Sequence, residues 1–162
     1  MSVYEPLGLI SAITPWNSPI ASDAQKVAPA LAAGNAVLLK PSSWSPLVSL
    51  EFARIVESAG LPKGLFSVLP GSGNEIGSLL VDHPDISKVT FTGSTATGRN
   101  LAIQAAKKLM PISLELGGKS PVIVFNDSDL DVAISGVLFG IFSSTGQSCI
   151  AGSRLFVQRG IY

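Results

Sequence analysis

Cys149 is the only cysteine in a chain of 162 residues. It stands in "GIFSSTGQSCIAGSR", where Ser143, Ser144, Thr145, Gly146, Ser148, Ala151 and Gly152 surround it with small side chains. A cysteine used for packing sits among bulky apolar groups, so this thiol asks for another role, although taken alone a core position stays open to it. Glu115 is the second chemical group, set between Leu114 and Leu116 in the apolar run "ISLEL". A half-buried carboxylate there loses hydration, which raises its pKa toward that of a base useful near neutral pH. On a solvated strand face the same residue is only a surface charge. Asn17, in "TPWNSP", is held in a stiff segment between Pro15 and Pro19. Its amide can donate to a developing oxyanion, and it can equally close an Asx turn.

Other stretches carry groups suited to phosphates and hydroxyls. In "FTGSTATG" a strand ends at Thr92, a turn follows, and a helix opens. Its first N–H groups and the Ser94 hydroxyl could receive an anion, and an ordinary strand-to-helix turn has the same pattern. Lys40 closes "AVLLK", so its ammonium projects into the next loop as a compact charge for hydroxyls and phosphates, or simply into water. "GSGNEIG" departs from the G-x-G-x-x-G dinucleotide fingerprint because its third glycine comes one residue late. His83, in the polar turn "DHPD", reads as a surface residue. No metal site is expected.

These groups need elements to hold them. Apolar runs at residues 7–13, 36–40, 65–69, 88–93, 112–116, 121–125 and 154–158 read as strands. Helical patterns occupy residues 20–34, 45–60, 94–108 and 128–144, with a loop and short helix over 71–83. Pro29 predicts a kink in the first helix, and Gly34 and Gly60 predict helix ends. Ser45 with Pro46 predicts a helix start, as does Ser128 or Asp127. Strands alternating with helices, and apolar along their length, specify an α/β fold: a doubly wound parallel sheet covered on both faces. Ligands bind such sheets at the carboxyl ends of the strands. The chemical groups above follow strands at that end, in "TPWN", "KPSS", "PGSG", "TGST" and "GGK". Gly117–Gly118 reads as a hinge.

Composition narrows the class further. Apolar residues make up 46% and charged residues 14% of the chain, so it can bury a core and is not disordered by composition. Eleven basic and eleven acidic residues cancel, leaving no electrostatic footprint for nucleic acid or an anionic membrane. No run of about 18 apolar residues suggests a membrane span, and the first residues lack a signal-peptide pattern. A single cysteine fits a reducing compartment, and a cytoplasmic location is expected.

"TPWN", "LLKPS", "FTGST", "LELGGKSP" and "GQSCIAGSR", in that order, resemble the aldehyde dehydrogenase superfamily over essentially the whole chain. The resemblance implies a Rossmann-like sheet of aldehyde dehydrogenase type, truncated, with residues 1–117 as part of a dinucleotide-binding domain and 118–162 as the start of a catalytic domain. It implies oxidation of an aldehyde to a carboxylic acid with NAD or NADP, through a cysteine thiohemiacetal and thioester. Cys149 would be the nucleophile, Glu115 the general base and Asn17 the oxyanion donor. The cofactor would be held by Ile13, Thr14, Pro15, Trp16 and Asn17 after the first strand, and by Lys40, Pro41, Ser42 and Ser43 after the second. Gly73, Gly93, Ser94 and Leu116 would complete that set. NAD-preferring members often carry a glutamate where this chain has Ser43, so use of NADP is expected. A carboxylate about 4 Å from a 2′-phosphate would repel it by roughly 1 kcal/mol in water and about 4 at an effective dielectric of 20.

The family's members are much longer. This implies a fragment, inactive alone, of an enzyme that works as a homo-oligomer on a small-molecule aldehyde. Two other functions fit parts of the pattern. A nucleotide-binding module without catalysis has no need of Cys149, Glu115 and Asn17 together. An acylating enzyme would pass the thioester to coenzyme A, whereas Glu115 suits activation of water.

Overall fold

The computed structural model describes residue 1 and residues 3–162. Two compact units divide the chain, Met1–Glu115 and Leu116–Tyr162. The first is built on a five-stranded sheet in the order β3-β2-β1-β4-β5. Its strands are β1 (Leu9–Ile13), β2 (Ala36–Lys40), β3 (Phe66–Val68), β4 (Ile86–Gly93) and β5 (Ile112–Leu116). The central strand β1 pairs in parallel with β2 on one edge and with β4 on the other, and β2 pairs in parallel with β3. The chain moves outward from β1 to β3, then returns to β4 and moves the other way to β5. Right-handed crossovers therefore put α1 (Pro19–Ala32) and α2 (Pro46–Ser58) on one face and α4 (Thr95–Lys107) on the other. The short helix α3 (Ser78–Asp82) packs beside α4 and β4. This is the doubly wound sheet expected from the alternation of elements.

Packing explains the choice of residues. Ile10, Ala12, Val37 and Leu39 point from the two central strands onto Val27 of α1, and Phe52 and Phe66 close the cluster. Those two rings meet edge to face, with centroids 5.8 Å apart. Leu101 and Ala105 of α4 are buried, as are Val89 and Phe91 of β4. Asn35 joins α1 to the start of β1. Its Oδ1 accepts from the Gly8 N–H and its Nδ2 donates to the Ala30 carbonyl, both at 3.0 Å.

Several boundaries differ from the sequence reading. β1 begins at Leu9 rather than residue 7, because Gly8 takes a φ of +117° that no strand continues through. β4 begins earlier, at Ile86. α1 stays helical through Pro29 as far as Ala32. Ser45 occupies the cap position of α2, but its side chain makes no capping hydrogen bond. Residues Gly73–Gly77 form a π-helical turn, held by the Glu75 N–H on Ser72 Oγ at 3.2 Å.

The second unit contains β6 (Pro121–Val124) and β7 (Arg154–Val157), paired in parallel, and α5 (Leu130–Phe142) between them in sequence. Asp129, not Ser128 or Asp127, caps α5 by accepting from the Asp131 and Val132 N–H groups at 3.0 and 3.2 Å. α5 is apolar on all sides yet has no buried residue, and Phe139 and Phe142 are 76% and 67% exposed. A helix of that composition is made to be covered by further protein. Among the described residues no helix is long and apolar enough to cross a membrane.

The Asn35 clip gives a direct test of how the first unit is held. Asn35→Ala removes an acceptor and a donor at once and should cost about 1–3 kcal/mol. A melting temperature within a degree of the parent's would show that the clip is dispensable.

Candidate active site

The register of the sheet brings three strand ends together. Ile13 lies opposite Lys40 of β2 and opposite Phe91 of β4. Pairing continues one residue further, where the Thr14 N–H donates to the Lys40 carbonyl at 3.1 Å. The chain leaves β1 toward one side and β4 toward the other, so the crevice between their ends is the switch point at which such sheets take ligands.

Lys40 is not a solvated lysine. It is 4% exposed, and its Nζ donates to the Pro41 carbonyl at 2.7 Å. Burial lowers its pKa from 10.5. Thr14 is also buried, and its Oγ1 has no protein partner. Ile13 and Pro41 are buried beside them, Pro15 and Asn17 are half-buried, and Trp16 is exposed. Residues 42–45 form a tight turn in which the Ser45 N–H bonds the Ser42 carbonyl at 3.2 Å and the Trp44 N–H bonds Ser42 Oγ at 3.3 Å. Ser42 is half-buried and Ser43 is exposed on that turn.

Gly93 ends β4 under steric constraint. A Cβ there would come within 2.5 Å of the buried Phe91 ring, so glycine lets the backbone turn directly into α4. Ser94 caps that helix, accepting from the Thr97 N–H at 3.1 Å and donating to Thr97 Oγ1 at 2.9 Å. The two hydroxyls are thus paired with each other. The Thr95 and Ala96 N–H groups are the helix-terminal donors left to meet an anion. An unpartnered Thr14 hydroxyl, a buried ammonium with a single carbonyl acceptor and an open helix terminus fit a dinucleotide's hydroxyls and phosphates. Gly73 is exposed in the π-helical turn after β3, and Leu116 is half-buried at the end of β5.

Glu115 corrects an expectation. It is exposed, not half-buried between its leucine neighbours. The cause is the position of β5 at the edge of the sheet: Ile112, Leu114 and Leu116 turn one way into partial burial, and Ser113 and Glu115 turn the other way into the open. Lys26 of α1 reaches the same face of the sheet, its Nζ donating to Thr90 Oγ1 at 3.0 Å. Burial lowers the Lys26 pKa from 10.5, the charge of Glu115 raises it, and Lys88 lowers it.

In the second unit Cys149 is free and exposed. Its segment is held from both sides. The Gly152 N–H donates to the Gly140 carbonyl of α5 at 3.0 Å, and the Ala151 N–H closes a turn on the Ser148 carbonyl at 3.1 Å. Arg154 donates from Nε to the Lys119 carbonyl at 2.7 Å and lies over the Phe156 ring. A Cβ on Gly118 would stand 3.3 Å from the Cys149 carbonyl oxygen, so the "GGK" and "GQSC" segments meet here. Ser144 and Thr145 both have positive φ, 52° and 57°, just before Gly146. Left-handed backbone at a β-branched residue is uncommon, and such outliers gather at functional segments.

Comparison with known proteins decides the family. The model of the aldehyde dehydrogenase family matches residues 1–162. The chain belongs to the aldehyde dehydrogenase family. It is 48% identical over 160 residues to glutarate-semialdehyde dehydrogenase of Pseudomonas aeruginosa, a match covering 99% of this chain and 33% of that protein. The solved structure of an NADP-dependent enzyme of E. coli superposes with a TM-score of 0.96 at 47% identity, over 98% of this chain and 33% of that one. The NAD+ complex of aldehyde dehydrogenase from Bacillus cereus gives a TM-score of 0.95 at 46% identity, over 98% and 32%. The chain therefore spans about a third of the length of the relatives it matches.

Within this aldehyde dehydrogenase chain, the first unit gathers Ile13, Thr14, Lys40, Pro41 and Gly93 at adjoining strand ends. Glu115 closes that unit on the edge strand, and Cys149 belongs to the second. Lys26 escaped the sequence reading. The signal for it was present, since Asp23 and Lys26 are the only charged residues in α1.

The lowered pKa of Lys26 predicts a pH dependence. Between the folded value and 10.5 the unfolded chain keeps a proton that the folded chain has released, so stability rises with pH through that window. Below the window Lys26 is charged in both states and its full burial cost is present. The parent should therefore gain melting temperature relative to Lys26→Met as pH climbs toward 10.5. A difference that stays flat with pH would show that Lys26 is not desolvated in the folded protein.

Proposed function

We propose that this chain is the part of an NAD(P)-dependent aldehyde dehydrogenase that carries the nucleophile, the base and the phosphate end of the cofactor site. The match of the aldehyde dehydrogenase family along residues 1–162 is the observation that carries this reading. We read residues 1–117 as part of the cofactor domain and 118–162 as the opening of the catalytic domain. The division into compact units at Glu115 and Leu116 supports that reading.

The chemistry assigns one task to each residue. The Cys149 thiolate adds to the aldehyde carbon, giving a thiohemiacetal. The Cys149 N–H and the Asn17 amide donate to the oxygen as it gains charge; one such donor is worth about 2.7–4 kcal/mol. Bound NAD(P) supplies the hydride acceptor that turns the thiohemiacetal into a thioester. Glu115 takes a proton from water, the hydroxide adds to the thioester, and the carboxylic acid leaves as the thiolate returns. An exposed Glu115 has the water this step requires. Lys40 and the first N–H groups of α4 hold the dinucleotide, and Ser43 faces its ribose.

The protein containing this chain should separate these tasks. Cys149→Ala should abolish aldehyde oxidation while dinucleotide still binds. Glu115→Gln should slow steady-state turnover more than the first burst of NAD(P)H. Turnover that survives Cys149→Ala would overturn the assignment, and equal losses of burst and turnover would give Glu115 a different role.

Cofactor choice follows from Ser43. A serine there carries no charge against a 2′-phosphate and can donate to it, so NADP should be accepted alongside NAD. Ser43→Glu should then raise the KM for NADP by at least tenfold, the worth of roughly 1.4 kcal/mol, and leave that for NAD nearly unchanged. A parent that rejects NADP, with a Ser43→Glu variant that behaves identically, would sink this reading.

A further inference from the structure

Asp23 and Ser49 form a buried pair that the proposed chemistry leaves unused. Both are 0% exposed, and Ser49 Oγ donates to Asp23 Oδ2 at 2.6 Å. Asp23 Oδ1 is buried with no protein partner, as is Ser45 Oγ nearby in sequence. Burying a carboxylate with so few hydrogen bonds is costly, and two small apolar residues would fill the same space at no such cost. Stability alone does not account for such a pair.

Its location says what. Asp23 lies one helical turn before Val27, which packs into the core with Ala12 and Leu39. The pair therefore sits at the carboxyl end of the strands, on the α1–α2 face. Asp23 follows the loop of residues 14–18, and Ser49 follows the loop of residues 41–45. One hydrogen bond thus ties the opening turns of the two helices that the loops feed. Helix packing by apolar contact tolerates sliding, whereas a short bond between two wholly buried groups fixes one register.

We propose that Asp23 and Ser49 are positioning residues that lock α1 to α2 and thereby set Asn17 and Thr14 against Lys40 and Ser43. The pair touches neither substrate nor cofactor. Its effect on dinucleotide affinity rests on the reading of these loops as cofactor-binding, and its effect on the loops themselves does not.

The test uses the full-length protein with three variants. Asp23→Ala combined with Ser49→Ala removes both polar groups and leaves no orphan, so the fold should be nearly as stable as the parent's. Asp23→Ala alone, which leaves only the neutral Ser49 hydroxyl to find a helix carbonyl, serves if the double variant folds poorly. Asp23→Asn keeps an acceptor facing Ser49. Amide hydrogen exchange in residues 14–18 and 41–45 should quicken by about tenfold in the first two variants and return toward the parent's in the third. Exchange in α4 should not change. Dinucleotide Kd should rise by roughly tenfold as the loops lose alignment, and kcat at saturating cofactor should fall as well, because Asn17 lies in one of those loops. Folded variants whose loops exchange as slowly as the parent's overturn the proposal. Faster exchange in both loops with unchanged dinucleotide affinity supports the positioning role and instead refutes the cofactor reading of those loops.

Discussion

Pairing of β1 along both of its edges is the constraint on which the first unit depends. A strand bonded on one side to β2 and on the other to β4, and buried on both faces, has no freedom of register. Fixing that register aligns Ile13, Lys40 and Phe91, so β1 and β2 stop at one level and β4 runs two residues further, to Gly93. The loops that leave them must then share one crevice. Lys40 is buried because β2 carries it to the end of an apolar strand between covered faces, not because the lysine itself favours such a place. Gly93 is needed because β4 has to turn into α4 beside a buried phenylalanine.

The second unit obeys a different constraint. Its strands are few, and its helix α5 is largely exposed, so the segment around Cys149 is fixed by backbone bonds and a cation rather than by a deep core. The Gly140 carbonyl, the Lys119 carbonyl and the close approach of Gly118 each remove one way for the segment to move. Small residues permit these approaches. The same residues leave the thiol open, which accounts for the composition around the single cysteine. The left-handed backbone at Ser144 and Thr145 costs about 1–3 kcal/mol per residue, and the surrounding bonds hold it in place.

Much of this was legible in the sequence because strand and helix signals agreed with each other. The alternation of apolar runs with capped helical patterns led to the doubly wound sheet, and Gly34 and Gly60 end their helices with positive φ as their type suggests. Motif order led to the family. Edge effects were not legible. Glu115 alternates with leucines just as a half-buried residue would, and only the place of β5 at the sheet's border exposes it. Ser94 offers a hydroxyl in the sequence, and the structure pairs it with the Thr97 hydroxyl. Lys26 gave a faint signal because its partner Thr90 lies 64 residues away, beyond the reach of any local pattern.

A buried ammonium at Lys40 and a half-buried one at Lys26 give a chain of zero net charge places where an anion would be favoured. Net charge is zero over the sequence, so long-range attraction is absent. Lys26 and Lys40 nonetheless both carry pKa values lowered by burial, which means that each charge sits in the fold at a cost. A ligand that brings negative charge to Lys40 offsets part of that cost at once, and water cannot do so while the side chain is buried. On the reading of Lys40 as a dinucleotide ligand, part of the binding free energy would come from relief of that burial cost. The same ligand stabilises the folded state in proportion to its occupancy. The apolar packing of Ala12, Val37 and Leu39 on the same two strands against Val27 of α1 offsets the cost of burying Lys40.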